Sequence, residues 1–374
     1  MTGLDIGYYA IEPLTEPTEP DEARGRVVES VRMGEATIDP AAADPALAFG
    51  PTGGGAQPIS APSKTRGMLS TPVRDVLTKR GMLAGFSTVA MDSKGGAPVV
   101  GTGRLLTVIL LRFPDSDTAR QAAAEMDAAD AGVSTENAAV PIPGHPEAHA
   151  HWRPTVPTLA ATMAQDSFVI SLLVGHTGTD VNAMAALAGR AFEAQRTRLA
   201  DFRPTPAGDI AALRADRDRM LSRLVADDPG NWPMPAVLQS GIGENAGWES
   251  VGQPNGVVYG PHAVQLRGPR PGTDRAEAMA FAGSSSLFRY ATATVARRTY
   301  VENFRIDEGF QEVAAPQGVP EAKCIRNLAS VDTSNNYSCW LLAGKYLALV
   351  HSRDESNARQ KIAAQFVLLQ RDPE

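Results

Sequence analysis

The spacing of apolar and polar positions changes several times along the 374 residues. Residues 1–66 hold no steady period. Glu12-Pro13, Glu19-Pro20 and the run from Gly50 to Gly55 break it, leaving one short helix predicted around 21–33. This stretch reads as an extended, mostly irregular N-terminal arm. From about residue 70 the pattern turns regular, with a helix over 72–80 and a strand over 83–90. Leu105 to Leu111 is an unbroken apolar run, a strand. Behind it, Asp115 to Ala129 carries Ala119, Ala122, Met126 and Ala129 at helical spacing after an acidic start. Beyond the Pro-rich 141–146, His149–Arg153 and Leu159–Met163 read as strands. Gln165-Asp166 reads as a tight turn into the strand Ser167–Val174, and Asp180 opens a helix with Val181, Met184, Ala188 and Phe192 on one face. The order is β-α-β-β-α.

The last ninety residues repeat it. Ser286–Tyr290 predicts a strand, and Ala293, Ala296, Tyr300 and Phe304 align on a helix. Cys324–Asn327 and Ser338–Ala343 predict strands, Gly344-Lys345 turns into Tyr346–Val350, and Ser352 with Glu355 forms a capping box ahead of Ala358, Ile362, Phe366 and Leu369. The fold class expected is therefore α+β: two duplicated ferredoxin-like lobes behind the arm. The expected divisions are 1–66 for the arm, 67–205 for the first lobe, 206–256 for a linker and 257–374 for the second lobe. Because the central strands are apolar on both faces, a second layer is required over each sheet. Either the lobes pack sheet to sheet or the arm lies over one of them.

Composition narrows the function classes. The chain has 35 basic and 42 acidic side chains, a net charge of -7, and no Lys/Arg block. That disfavours nucleic acid as a partner, since phosphate binding needs a clustered positive surface. No apolar run reaches the roughly 18 residues of a bilayer span. The two cysteines, Cys324 and Cys339, flank the polar run Asp332–Asn336 and look like a hairpin staple; two buried thiols, or an incomplete metal pair, remain open from spacing alone.

Candidate chemistry is sparse. Gly241-Ile242-Gly243-Glu244-Asn245-Ala246-Gly247 has the skeleton of a dinucleotide loop but no following helix to hold a pyrophosphate, so an interlobe loop is the better reading. Gly53-Gly54-Gly55 has no Lys-Ser/Thr after it. His145, His149 and His151 fall within seven residues, with His149 and His151 on one strand face; Glu147 or His351 would have to complete a metal site. Ser284-Ser285-Ser286 lacks a nucleophile elbow. Asp227-Asp228 and Asp307-Glu308 read as solvated surface, and Trp340 is expected to pack on the Cys324–Cys339 pair. No cofactor site is expected.

Several segments in order, "YYAIEPLTEP", "ESVRMGEATIDPAAADPAL", "GMLAGF", "LRFPDSDTARQAAAEMDAAD", "AHWRPTVPTLAATMA", "YGPHAVQL" and "AAQFVLLQ", resemble a family of actinobacterial cell-envelope lipoproteins from mycobacteria, nocardiae and rhodococci that carries only domain-of-unknown-function names. The resemblance spans nearly the whole chain and supplies no catalytic motif. It implies a disulfide between Cys324 and Cys339 outside the cytoplasmic membrane. It also implies a lipid anchor in the parent protein just before the segment matching Leu4-Asp5-Ile6-Gly7, although no such cysteine stands there in this chain.

The function expected is a non-enzymatic envelope ectodomain that binds an apolar envelope ligand or a partner protein in a groove between related lobes. The alternatives are a metal-dependent or hydrolytic enzyme using His145, His149 and His151, and a structural or sensor module of an envelope complex.

Overall fold

The structure, a computed structural model, describes residues 3–51, 55–94, 99–227, 238–239, 246–247, 255–267, 275–304, 306, 308–329 and 335–371. Helix α1 (Glu22–Ala36) opens at Asp21, whose carboxylate accepts from the Arg24 amide at 2.8 Å, the N-cap geometry expected of Asp. The first lobe then runs β1 (Ala56–Ile59), α2 (Thr71–Lys79), β2 (Ala84–Met91), β3 (Leu105–Arg112), α3 (Ser116–Ala131), β4 (Ala138–Ala139), β5 (His149–Trp152), β6 (Thr158–Gln165), β7 (Phe168–Gly175) and α4 (Val181–Leu199). The second runs β8 (Asn255–Tyr259), α5 (Pro261–Arg267), β9 (Ala278–Ala282), β10 (Ser285–Arg289), α6 (Ala293–Asn303), β11 (Phe310–Val313), β12 (Ala322–Asn327), β13 (Tyr337–Ala343), β14 (Tyr346–Ser352) and α7 (Glu355–Arg371).

Helix for helix and strand for strand, the two series match. The antiparallel sheets match too: β1-β2-β3-β7-β6-β5-β4 in the first lobe and β8-β9-β10-β14-β13-β12-β11 in the second, seven strands each. In the first, β7 is antiparallel to both β3 and β6, so β3, α3 and β6 form a crossover split by β7. The same split joins β10, α6 and β13 around β14. Each lobe is larger than the β-α-β-β-α order read from the sequence, with two strands before the crossover and further edge strands after its helix.

Alternation along a strand explains why the central strands are apolar throughout. Leu106, Val108 and Leu110 of β3 face α1 and α4, while Ile109 and Leu111 face α2 and α3. In the second lobe α7 covers one face, with Ala358, Ile362 and Leu368 against Leu287, Leu341 and Val350. Helix α6 covers the other, with Ala296 and Tyr300 against Leu342 and Leu347. Helices, not a sheet-to-sheet contact, therefore supply the second layer.

The arm is shared between lobes. Leu4, Ile6, Tyr9 and Ile11 pack on the α7 side of the second lobe. Met33 and Ala36 of α1 join the first core, while Val31 packs with Val258, Ala263 and Phe281 of the second lobe. Close approach requires glycine on α1: a Cβ on Gly25 would stand 1.9 Å from the Ile210 carbonyl oxygen. From 206–256, Met220, Leu221, Leu224 and Val225 are buried in the second core.

Two local expectations change. The α7 capping box does not form; the Ser352 hydroxyl accepts from the Asp354 amide at 3.1 Å, and the helix begins only at Glu355. Trp340 is not on the disulfide. Cys324 and Cys339, directly opposed on β12 and β13 and bonded, lie on the α7 face, whereas alternation turns Trp340 to the α6 face, edge-on to Phe304.

Candidate functional site

The final helix of each lobe carries a fully buried glutamine that grips the segment entering that lobe. On α4, Gln195 donates to the Ala36 carbonyl at 2.7 Å and accepts from the Ile38 amide at 3.0 Å. On α7, Gln365 donates to the Arg223 carbonyl at 2.7 Å and accepts from the Val225 amide at 2.9 Å. A side-chain amide facing a strand-like segment satisfies one N–H and one C=O two residues apart, groups that would otherwise be buried without partners. The sequence carries a matching trace: Arg32-Met33 and Arg219-Met220, with Met33 five residues before Ile38 and Met220 five before Val225.

Beyond the first of these clasps lies an open groove of about 820 Å³ at the meeting of α1, α4 and α5. Ile38, Ala42, Ala43, Ala194 and Phe202 give it apolar surface; Glu35, Asp39, Arg190, Glu193, Thr197, Arg198, Asp201 and His262 give it polar surface. Its position is fixed by Glu35, which joins three elements. One carboxylate oxygen accepts from Arg198 of α4 at 2.8 Å and the other from the Ala263 amide of α5 at 3.0 Å. His262 Nε2 donates to the Thr37 carbonyl at 2.5 Å, which fixes the proton on that nitrogen because a carbonyl can only accept. Burial, joined by the positive Arg198, holds His262 below the usual histidine range against the pull of Thr37, Glu35 and Asp39. A smaller groove of about 490 Å³ continues along α4, sharing Glu193, Thr197 and Phe202 and reaching Asp166 and Arg203.

The histidines singled out in the sequence do not converge. His149 and His151 share a face of β5, but His145 turns to the opposite side, where it is buried against Phe192 and donates from Nε2 to the Gly189 carbonyl at 3.1 Å. His149 is exposed. His151 is buried 2.8 Å from Asp127 and 3.6 Å from Asp130 of α3. Burial pulls its pKa down, yet the hydrogen bonds and charges of the two carboxylates prevail and push it up to about 9. This is an ion-pair clamp rather than a neutral metal ligand. No group of three or more metal-ligating side chains assembles among the described residues.

Ser284 does acquire polar neighbours. Lys361, with 0% exposure, donates to both the Asp227 carboxylate and the Ser284 hydroxyl, and Asp227 also accepts from the Ser284 amide at 2.7 Å. Burial lowers the lysine, while Asp227 acts in the opposite direction. A lysine that activates a serine must accept the hydroxyl proton, whereas the Ser284 hydroxyl donates to Asp227 at 3.0 Å and accepts from Lys361. The Ser284 amide is also committed to Asp227. The arrangement suits a tie between Asp227, the β9–β10 turn and α7. The Gly241–Gly247 loop and the Gly53–Gly55 run lie mainly outside the described residues, as do Asp228 and Asp307.

Residues 16–215 match the N-terminal domain of DUF7373, a domain of unknown function, and residues 220–372 match its C-terminal domain. The chain belongs to the DUF7373 family. No curated protein matches the sequence. The extracellular domain of PknH from Mycobacterium tuberculosis is similar at 10% identity over 50% of this chain and 100% of that one, with a TM-score of 0.30. Within the DUF7373 boundaries, the groove is built from the N-terminal domain except at His262. Its components were hard to see in the sequence because Glu35, Arg198 and His262 are far apart in it. One signal was available: Gly260-Pro261 after an apolar strand marks a helix start, since Pro suits the first helical position.

Proposed function

We propose that this protein is a non-enzymatic envelope ectodomain that binds an extended segment of a partner protein in the groove between its lobes. The observation that carries this reading is the open, two-sided lining of that groove. Ile38, Ala194 and Phe202 offer apolar contact, and the carboxylates of Glu193 and Asp201 pair with no described cation. A lipid tail is better met by an enclosed apolar cavity, whereas a trough of mixed polarity matches a polypeptide with apolar and basic side chains. The disulfide supports an extracytoplasmic setting, and no described helix is long and apolar enough to cross a membrane. The reading includes a lipid anchor on the parent protein and an origin of the lobes by duplication of a ferredoxin-like unit, the latter supported by the repeated strand order and paired glutamine clasps.

A photo-crosslinking amino acid in place of Ala194, in the parent protein within an actinobacterial host, tests the binding mode. A single protein crosslinked there, but not from the exposed Gln121, is expected, and Ala194→Arg should weaken its purified complex about tenfold or more. A lipid adduct from Ala194, or equal crosslinking from both positions, would overturn it.

A further inference from the structure

The corresponding outer edges of the two sheets are finished differently. In the first lobe the edge strand β4 is two exposed alanines followed by Pro141 and Pro143, a short edge in which the prolines lack N–H donors. In the second lobe the edge strand β11 is Phe310-Gln311-Glu312-Val313, with no proline before Pro316. The Leu328 amide donates to the Gly309 carbonyl at 2.7 Å, which makes Gly309 and Leu328 a hydrogen-bonded pair. By antiparallel alternation Gln311 and Val313 then turn their backbone groups towards β12, and Phe310 and Glu312 turn theirs away from the sheet. No described strand pairs with that side.

Apolar side chains gather at the same edge. Of the nine large apolar side chains exposed among the described residues, Ile306, Phe310 and Leu328 adjoin this strand through chain and register, and Val301 stands on the helix leading into it. Glu308 and Glu312 beside them are exposed and pair with no described cation. A second copy of the chain would bring its own Glu308 and Glu312 against these carboxylates, so charge disfavours self-pairing.

We propose that β11 is a docking edge for an extended segment of another protein, which adds a strand to the second sheet and alternates apolar with basic residues. Main-chain hydrogen bonds to Phe310 and Glu312 supply the register; these two side chains share one face, so the basic residues of the segment meet the carboxylates of Glu308 and Glu312 and lay their methylene stems on Phe310, while its apolar residues take the other face. This edge is distinct from the groove lined by Glu35, Ala194 and His262, and does not depend on it.

The test uses fluorescein-labelled hexapeptides KVKVKV and EVEVEV with the full 374-residue chain, read by anisotropy and by amide exchange. KVKVKV is expected to bind more tightly by about tenfold or more and to slow exchange at Phe310 and Glu312. Glu312→Pro removes an outward-facing donor together with one of the two selecting carboxylates, and should abolish binding while β12 and β13 keep their protection. The double variant Glu308→Lys/Glu312→Lys should reverse the preference to EVEVEV, which guards against a folding defect in the proline variant. Equal binding of both peptides, undiminished KVKVKV binding by the stably folded Glu312→Pro, or self-association that protects the same amides would overturn the proposal.

Discussion

The two lobes share one element order and one glutamine clasp, yet are fastened by different chemistry. In the first, Glu29 of α1, with 0% exposure, pairs with buried Arg112 at the end of β3 and also accepts from the Thr205 amide at 3.1 Å. In the second, the corresponding position four residues before the Arg-Met methionine is Asp216, whose carboxylate accepts from the Leu221 and Ser222 amides at 2.8 Å each. Four residues before the clasp glutamine the helices differ again: α4 has Ala191, and α7 has Lys361, which needs Asp227 and Ser284. The topology fixes where a polar group must satisfy the entering chain, and leaves open whether an ion pair or a backbone contact completes the fastening.

The largest expected effect separates these modes. Glu29→Ala strands the Arg112 guanidinium in the first core, and an unpaired buried charge costs about 3–5 kcal/mol. Asp216→Ala leaves two backbone amides without their acceptor, a loss of about 1–3 kcal/mol. Denaturant unfolding, resolved by amide exchange in each lobe, should show the first variant destabilising the first lobe more than the second variant destabilises the second. Equal losses would remove the distinction between charge fastening and backbone fastening.

The shared clasp makes the opposite demand. Gln195→Leu and Gln365→Leu each leave one carbonyl and one amide buried without partners, so each should cost about 1–3 kcal/mol in its own lobe. Exchange should rise at Ile38 in one variant and at Val225 in the other. If only one lobe responds, the resemblance between the clasps is geometric and not energetic.

Much of this frame was legible and the fastening was not. Asp115 and Asp180 announce α3 and α4 because an N-cap is a local signal, and their carboxylates accept from the Thr118 and Ala183 amides at 2.7 and 3.0 Å. The spacing of Cys324 and Cys339 about a polar turn suggested a hairpin staple and left free thiols open, and the family resemblance implied the bond that the two opposed strands make. The clasps depend on contacts more than a hundred residues apart, and buried Gln has no periodicity to betray it. The histidine cluster misled for a related reason: nearness in sequence says nothing about the β4–β5 bend that sends His145 and His151 to opposite faces. The groove shows the same limit, since no local pattern joins Glu35 to Ala263 or His262 to Thr37.

Histidines give the lobes opposite pH responses. His151, raised to about 9 against an ordinary 6.5, stabilises the first lobe fully below about pH 6.5 and loses that contribution as pH rises through 9. His351, pushed down to about 4 by burial and by Lys361, stabilises the second lobe above about pH 6.5 and loses its contribution as pH falls through 4. With solvent screening each is on the order of 1–2 kcal/mol. Amide exchange followed from pH 4 to 9.5 should show the second lobe loosening in acid and the first in alkali. His151→Gln should flatten only the alkaline limb, and His351→Gln only the acid limb; a common pH response in both lobes would show that these histidines do not control it.

The smallest difference lies at the two equivalent crossover helices. Thr292 caps α6 by accepting from the Val295 amide at 3.2 Å, and Thr292→Ala should cost about 1 kcal/mol. Asp115 does the same work for α3 with a charged acceptor at a helix N-terminus, where the helix dipole adds to the hydrogen bond, so Asp115→Ala should be the costlier change at neutral pH. Its amide hydrogen bonds hold the Asp115 carboxyl below its ordinary range. The stabilisation is therefore present above the unfolded aspartate pKa and is lost as pH falls through the lower folded value. Unfolding measured at neutral pH and again in acid should show the Asp115 and Thr292 variants converging. A gap that persists in acid would place the difference in packing at the two helix starts, and not in charge.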